Sequence, residues 1–549
     1  MNNDIIVDIE NVGSVVLKEG TSIEEIINKQ NLENEIIAAS INGEVVELDY
    51  KLYEDTKIKL IDLKNINGAR IYRSGLKFLY ITAVKELFGS GTNVELKHSL
   101  DKGIYTKINI DVNEKIINEI KNKMFELSKE NIRIQKVQVP RKEALNYFKN
   151  IKEYEKASIY EQTSDEVVTL YKMLDYYNYF YSQMPVNTKI LNKFDLTLTK
   201  DGAVMLEYPE RENLTIPKYT HIEGVLNVFK AYANWSKILG VNYVGEVNNI
   251  VIDGKIKEFI ELNEIKQNSD LNNVANIIET NIDKIKVVLI AGPSSSGKTT
   301  TSKKLSLYLK NKGIDTFVLS TDDFFLERKN TPKDENGNYL FDIPEAIDIN
   351  LFNQKLNDLL NKKECMLPTY NFLTGEKEYK GKPVKIKENE IIIIEGIHTL
   401  NEKLTSSIDK KNKLKIYISP FTPLGLDRHN HVSTLDIRLI RRLVRDHRTR
   451  GYSASETLKN WQVVRKSEEK YIFPYQKEAD IVLNTALIYE LGVLKTYAVP
   501  LLYSVKMDDE YYGEALRIIN FLRYFLNISE SDVPSTAVLR EFIGNGYFE

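Results

Sequence analysis

The chain has a single cysteine, Cys365, in 549 residues. A disulfide framework within the chain and a cysteine-rich zinc site are therefore excluded, and a reducing compartment fits. Neither sign of charge is in excess, since 75 basic residues face 78 acidic ones for a net charge of −3. That balance gives no global attraction to nucleic acid. The opening Met-Asn-Asn-Asp-Ile-Ile-Val-Asp lacks the basic start and apolar region of a signal peptide. No run approaches the roughly 18 apolar residues of a membrane span. The expectation is a cytoplasmic protein with no membrane partner. Internal repeats and long low-complexity tracts are also absent.

What is present is the composition of a globular protein, 42% apolar and 28% charged. Domains usually hold about 100–200 residues, so three or four are expected. The most informative stretch is Val287-Val-Leu-Ile-Ala-Gly292-Pro293-Ser294-Ser295-Ser296-Gly297-Lys298-Thr299-Thr300, an apolar strand breaking into a glycine-bounded loop and then a helix start. The spacing Gly292-x4-Gly297-Lys298-Thr299 is a complete Walker A pattern in the context that pattern needs. The glycines allow consecutive N–H groups to converge on phosphate oxygens at the positive end of a helix. Lys298 can reach the β- and γ-phosphates, and the Thr299 hydroxyl can sit on Mg²⁺. ATP and Mg²⁺ are the expected cofactors.

Residues 1–62 alternate short β-rich runs with one helical segment near Ser22–Lys29, opened by Ser22-x-x-Glu25. This α+β pattern resembles the TGS domain, a β-grasp unit at the front of threonyl-tRNA synthetases and of some regulatory GTPases and alarmone synthetases. Residues 63–205 extend the likeness, because Arg73-Ser-Gly-Leu-Lys77 lies in a stretch similar to the helix that opens the synthetase's second domain. The synthetase pattern has His-x3-His there, and neither Arg73 nor Lys77 is a plausible metal ligand. The synthetase's cysteine ligand also has no counterpart near Tyr181–Thr188. The resemblance thus implies a scaffold or regulatory surface, with RNA or the ribosome as partners it would suggest. Asp165–Tyr181 presents a tyrosine-rich, helical-looking face suited to packing. Residues 206–283 form a connector in which the polar stretch Asn263–Asn273 is the expected hinge.

From 284 to 485, apolar strands alternate with helices, the pattern of a doubly wound parallel sheet whose ligands gather at strand carboxyl ends. Acids stand at two such ends, in Ser320-Thr-Asp322-Asp323-Phe-Phe325 and in Ile-Ile-Ile-Ile-Glu395. Such acids can orient Mg²⁺ or take the proton of an attacking hydroxyl. Nothing in the local pattern ranks Asp322 above Asp323. Six arginines fall in the thirteen residues Arg438–Arg450, and Arg438, Arg441, Arg442 and Arg445 share a helical face. That density needs anions or acids to meet it, as a lid closing over transferring phosphates would. His398 follows the Glu395 strand and is expected to be structural, facing the acceptor being the alternative, and His429-x-His431 has strand-like spacing without a carboxylate or cysteine pattern for metal binding. Residues 486–549 are helical and are expected to pack on the preceding domain or to form a homo-oligomer contact.

The segment 284–485 resembles the uridine kinase and phosphoribulokinase family of P-loop kinases, closest to the uridine–cytidine kinase branch. The motifs that carry it are Gly292–Thr299, Leu319–Phe325, Phe341–Asp348, Leu367–Phe372, Ile394–Ile397 and Arg438–Gly451. The resemblance implies a kinase acting on a hydroxyl of a nucleoside or similar small molecule. It implies Asp322 as the base, Lys298 and Arg445 in catalysis, and Thr299, Asp322 and Glu395 around the metal. Asp342, Tyr370, Phe325 and Arg442 would meet the acceptor, and Arg450 would join the loop in holding ATP. Four positions depart from the uridine–cytidine pattern: Gly375 replaces its base-reading histidine, Phe325 a tyrosine, Asn371 an aspartate and Tyr452 an arginine. Fewer polar readers imply altered acceptor choice. Two other readings stay open: a nucleotide-dependent regulator of tRNA, ribosome or alarmone signalling, and a phosphoribulokinase-like sugar-phosphate kinase.

Overall fold

The structure, a computed structural model, describes residues 4–32, 35–100, 103–220, 222–334, 337, 339–372 and 374–549. Val287–Ala291 and Ile391–Glu395 are apolar along nearly their whole length and buried throughout, as strands covered on both faces must be. They belong to a five-stranded parallel sheet ordered Thr316–Ser320, Ile391–Glu395, Val287–Ala291, Lys413–Ser419, Ile481–Asn484. Alternate residues serve opposite layers. Val287 and Leu289 pack with Phe324, Phe352 and Leu356, while Val288 and Ile290 pack with Leu271, Ile278, Leu305 and Leu309. Register sets Ile290 and Ser320 on either side of Glu395, bringing the phosphate loop and the acids to one edge.

The amino-terminal residues build a five-stranded mixed sheet ordered Gly13–Lys18, Asp4–Ile9, Thr56–Asp62, Ile36–Ile41, Glu44–Glu47, over which helix Ile23–Lys29 packs. Ser22 caps that helix by accepting from the Glu25 N–H at 3.3 Å. The long helix Ile66–Phe88 follows, then a four-stranded and a three-stranded antiparallel sheet.

Two expectations fail here. The tyrosine-rich segment is not a helix but the strands Val167–Met173 and Tyr176–Asn178. Its β-branched and aromatic residues pair with Gln135–Pro140, Val168 and Leu170 turn inward, and Tyr171 donates to Glu47 at 2.5 Å. Nor is the polar stretch 263–273 a hinge, since it lies inside the continuous helix Ile256–Thr280. Two of its polar side chains, Asn263 and Glu264, are buried and met by partners from a distant segment. Asn263 accepts from the Ile488 N–H at 3.0 Å, and Glu264 accepts from the Tyr489 hydroxyl at 2.9 Å.

The carboxyl-terminal helices Glu490–Tyr503 and Tyr512–Leu522 share one apolar core with residues 241–260 and with helix Thr434–Arg450. They also reach the front of the chain. Glu514 pairs with Arg70 and Arg517, each at 2.8 Å, and Arg517 pairs with Asp436 at 2.7 Å. Burial alone would raise the Glu514 carboxyl, but Arg517 and Arg70 hold it down at about 2, against 4.5 when unfolded. A depressed carboxyl contributes stability that is complete above its unfolded value and lost as pH falls toward its folded one. Glu514→Gln should therefore cost about 3 kcal/mol at neutral pH by leaving buried guanidinium groups unpaired. The gap from wild type, measured by urea denaturation, should close between pH 4.5 and 2. An equal gap at both ends of that range would contradict the assignment.

Candidate active site

The strand Val287–Ala291 ends in the loop Gly292–Gly297, and helix Lys298–Asn311 starts immediately after it. Gly297 sits in the left-handed region at φ 88°, ψ 29°. Gly292 is required by proximity, since a Cβ there would stand 2.3 Å from the Ile418 carbonyl oxygen. The loop's carbonyls are held from outside: Arg438 Nε donates to Ser294 O at 2.9 Å and Thr485 Oγ1 donates to Ser296 O at 2.7 Å. Lys298 Nζ rests on Pro293 O at 3.3 Å. Among the described residues the Ser295 and Ser296 hydroxyls are buried without a partner, so the cradle holds donors that an anionic ligand would satisfy.

At the strand ends, Glu395 accepts from Ser320 Oγ at 2.8 Å and from Thr299 Oγ1 at 3.5 Å. Burial, and next the charge of Asp322, push its carboxyl up to about 7, while Lys298 pulls the other way. Two acids forced together near a threonine hydroxyl make an all-oxygen set that a hard divalent cation would relieve. Among the described residues no cluster of three or more His, Cys, Asp or Glu side chains is arranged for a metal. A cation here would rest on two carboxylates, a hydroxyl and its substrate's oxygens, a sparse set that suits magnesium.

The two neighbouring aspartates separate clearly. Asp323 turns to the backbone, accepting from the Tyr370 N–H at 3.3 Å. Asp322 instead lies close enough to act electrostatically on Glu395, Asp342 and Arg450.

Helix Thr434–Arg450 divides its arginines into two sets. Arg438 and Arg441 are buried in ion pairs with Glu468 and Glu490, behind the loop. Arg442, Arg445 and Arg450 gather on Asp446 at 3.1, 2.7 and 3.5 Å. Arg442 Nη1 also donates to Ser294 Oγ at 2.8 Å. Asp446 had a local signal in its i, i+4 spacing from Arg442. Glu468, Glu490 and Glu541 had none, because each comes from a distant helix. Two of these acids reach amides of the loop and of the helix that follows it: Ser294 N–H donates to Glu468 and Thr300 N–H to Glu541, each at 2.9 Å.

An aromatic group stands beside Arg450. Phe325 lies 5.7 Å from both Phe341 and Tyr370, Tyr370 lies 5.1 Å from Phe372, and Arg450 sits over Phe372 at 5.8 Å. Among the described residues the buried Tyr370 hydroxyl has no partner. Burial raises the Asp342 carboxyl, opposed by Arg442. His398 is buried and held down to about 4 by burial, so it is neutral.

In the front region Arg73 stacks on Tyr208 at 4.3 Å, and Lys77 is brought down to about 8 by burial and by Arg73. His429 and His431 lie on the hairpin Gly425–His431, where His429 meets Lys156 at 2.5 Å and His431 meets Ser99 at 3.1 Å.

The sequence profile of the phosphoribulokinase / uridine kinase family matches residues 287–488. The uridine kinase of Staphylococcus aureus strain JH9 is 30% identical over 199 residues, 36% of this chain and 86% of that protein. The uridine kinase of strain Newman gives the same figures. Among solved structures, the D-glycerate 3-kinase of Cryptococcus neoformans var. grubii matches at 14% identity and a TM-score of 0.22, over 46% of this chain and 87% of that one.

The tightness at Gly292 is directly testable. Gly292→Ala should displace the loop, destabilise the protein by ~1–3 kcal/mol and abolish binding of a fluorescent ATP analogue. Retained binding at wild-type affinity would show that the backbone approach is not needed.

Proposed function

This chain belongs, through residues 287–488, to the phosphoribulokinase / uridine kinase family, and from that premise we propose that it moves the γ-phosphate of ATP to a primary hydroxyl of a nucleoside-like acceptor. An ATP-using kinase with a small-molecule acceptor follows from the membership. The nucleoside, and the role of each residue, are the reading advanced here. The observation that carries it is the separation of Asp322 from Asp323: among the described residues Asp323 is taken by the Tyr370 backbone, and Asp322 is left free at the edge shared by the loop, Glu395, Asp342 and the arginines.

In this reading the loop amides, Lys298 and the Ser295 and Ser296 hydroxyls bind the donor's phosphates. Asp342 orients the acceptor's hydroxyls, and Phe325, Tyr370 and Phe372 stack on its ring. Asp322 takes the proton of the acceptor hydroxyl as its oxygen bonds to the γ-phosphorus. The bond from that phosphorus to the β–γ bridging oxygen breaks, and ADP departs. Arg442, Arg445 and Arg450 face the charge spread over the moving phosphoryl group, with Asp446 holding them in register. Thr299, Asp322 and Glu395 would hold Mg²⁺, which when bound neutralises phosphate charge.

An aromatic acceptor wall with one carboxylate favours an uncharged, planar acceptor over a sugar phosphate, whose own phosphate would need further cations. For the front end we extend the proposal to a TGS-like unit at 1–62 and a synthetase-like unit at 63–205 that brace the kinase. The mixed sheet with its single packed helix supports the first.

Asp322→Asn should lower turnover by ~10²–10⁴-fold while the loop still binds ATP, in an assay of ADP release over a panel of nucleosides and sugar phosphates. Full activity in that variant would remove Asp322 as the base. EDTA should silence the wild-type enzyme and Mg²⁺ restore it. Absence of transfer to any nucleoside, with transfer to a sugar phosphate, would overturn the acceptor assignment.

A further inference from the structure

The carboxyl-terminal segment lies across the phosphate loop. Val538 packs on Gly297, where a Cβ would meet its Cγ1 at 2.5 Å. Arg448 donates to the carbonyls of Phe542 and Glu541, each at 3.2 Å, and pairs with Glu549 at 2.6 Å. Arg441 lies under the Phe542 ring at 4.9 Å, and Lys303, on the loop's own helix, donates to Phe548 O at 2.6 Å. The segment is thus strapped along the first turns of helix Lys298–Asn311 by the helix that also supports the loop.

What the strap delivers is Glu541. Its Oε2 accepts the Thr300 N–H at 2.9 Å, an amide in the first turn of a helix whose exposed N–H groups suit an anion. Glu468 on Ser294 is different, because its charge is answered by buried Arg438. Among the described residues Glu541 has no cation within ion-pair reach. A half-buried carboxylate therefore holds an amide of the cradle, and its negative charge opposes any phosphate entering beside it.

We propose that Glu541 is a built-in competitor for the donor nucleotide, so that ATP enters the loop by displacing the carboxyl-terminal strap from Thr300. This rests on the kinase reading and adds to it a gate on donor affinity. Loss of a charge-assisted hydrogen bond changes an equilibrium by about tenfold or more. The competing charge, once removed, should return that factor to ATP.

The test uses the full-length chain. In calorimetric titration with Mg–ATP, Glu541→Gln, which keeps the shape and removes the charge, should bind at least about tenfold tighter than wild type. Hydrogen exchange on the wild-type protein covers the case in which the variant folds poorly. Mg–ATP should speed exchange across residues 538–544 and slow it in the loop. If wild type binds ATP but the variant binds equally or more weakly, or if ATP protects 538–544, the gate is overturned and the kinase reading stands. If neither protein binds ATP, both fall.

Discussion

Arg438 and Arg441 carry two guanidinium charges into positions 1% and 0% exposed. Charges buried so deeply persist only where countercharges and acceptors satisfy them. Glu468 and Glu490 supply the countercharges, and the carbonyls of Ser294, Ser295 and Thr485 take further donors. The phosphate loop is consequently fixed from behind by neutralised side chains as well as by its own turn chemistry. This also explains how one helix tolerates six arginines: two are matched by distant glutamates, three by Asp446, and Arg448 by Glu549.

The front of the chain grips that same helix. The hairpin Gly425–His431 ends just before Thr434 and drives Asp427, His429 and Asn430 into the front region, each no more than 2% exposed. There Lys156 meets His429 and Glu153, Asn430 donates to Tyr179 O at 2.9 Å, and Arg428 pairs with Glu155. A second grip comes through Arg70, Glu514 and Arg517 to Asp436 in the helix's first turn. A buried polar network holds its partners to one geometry, because a shift leaves groups unsatisfied. Any displacement of residues 63–205 would thus reach the arginines that position the loop.

Local signals made the loop and the sheet legible. Apolar runs, two glycines, a lysine and strand-end acids act through neighbours in sequence, and the strands at 287–291, 391–395 and 481–484 fall where those runs lie. Features decided by distant partners were not legible. Asn263 and Glu264 look like solvated linker residues until Ile488 and Tyr489 arrive, more than 200 residues later. The arginine spacing disclosed a charged face but not which arginines point to acids behind the loop. Asp322 and Asp323 are adjacent in sequence, and only the Tyr370 backbone, brought across by the fold, tells them apart.

The acceptor side shows why one polar reader is gone. Gly375 has φ +76°, and a Cβ there would meet Arg328 Cβ at 2.7 Å, so the position is closed to a histidine. Arg328 has taken the space, its N–H donating to Gly375 O at 2.8 Å and its Nη2 to Phe372 O at 2.7 Å. The guanidinium is thereby committed to bracing the turn under Phe372. On the proposed function, what would remain to meet a nucleoside is ring surface, the Asp342 carboxyl and the Tyr370 hydroxyl, which has no partner among the described residues. Aromatic stacking accepts every base, because every base has a π-face. On the proposed function, discrimination therefore shifts from the edge of the base to the sugar hydroxyls and to whatever group satisfies Tyr370, and the acceptor range should be broader than a pyrimidine-reading site would allow.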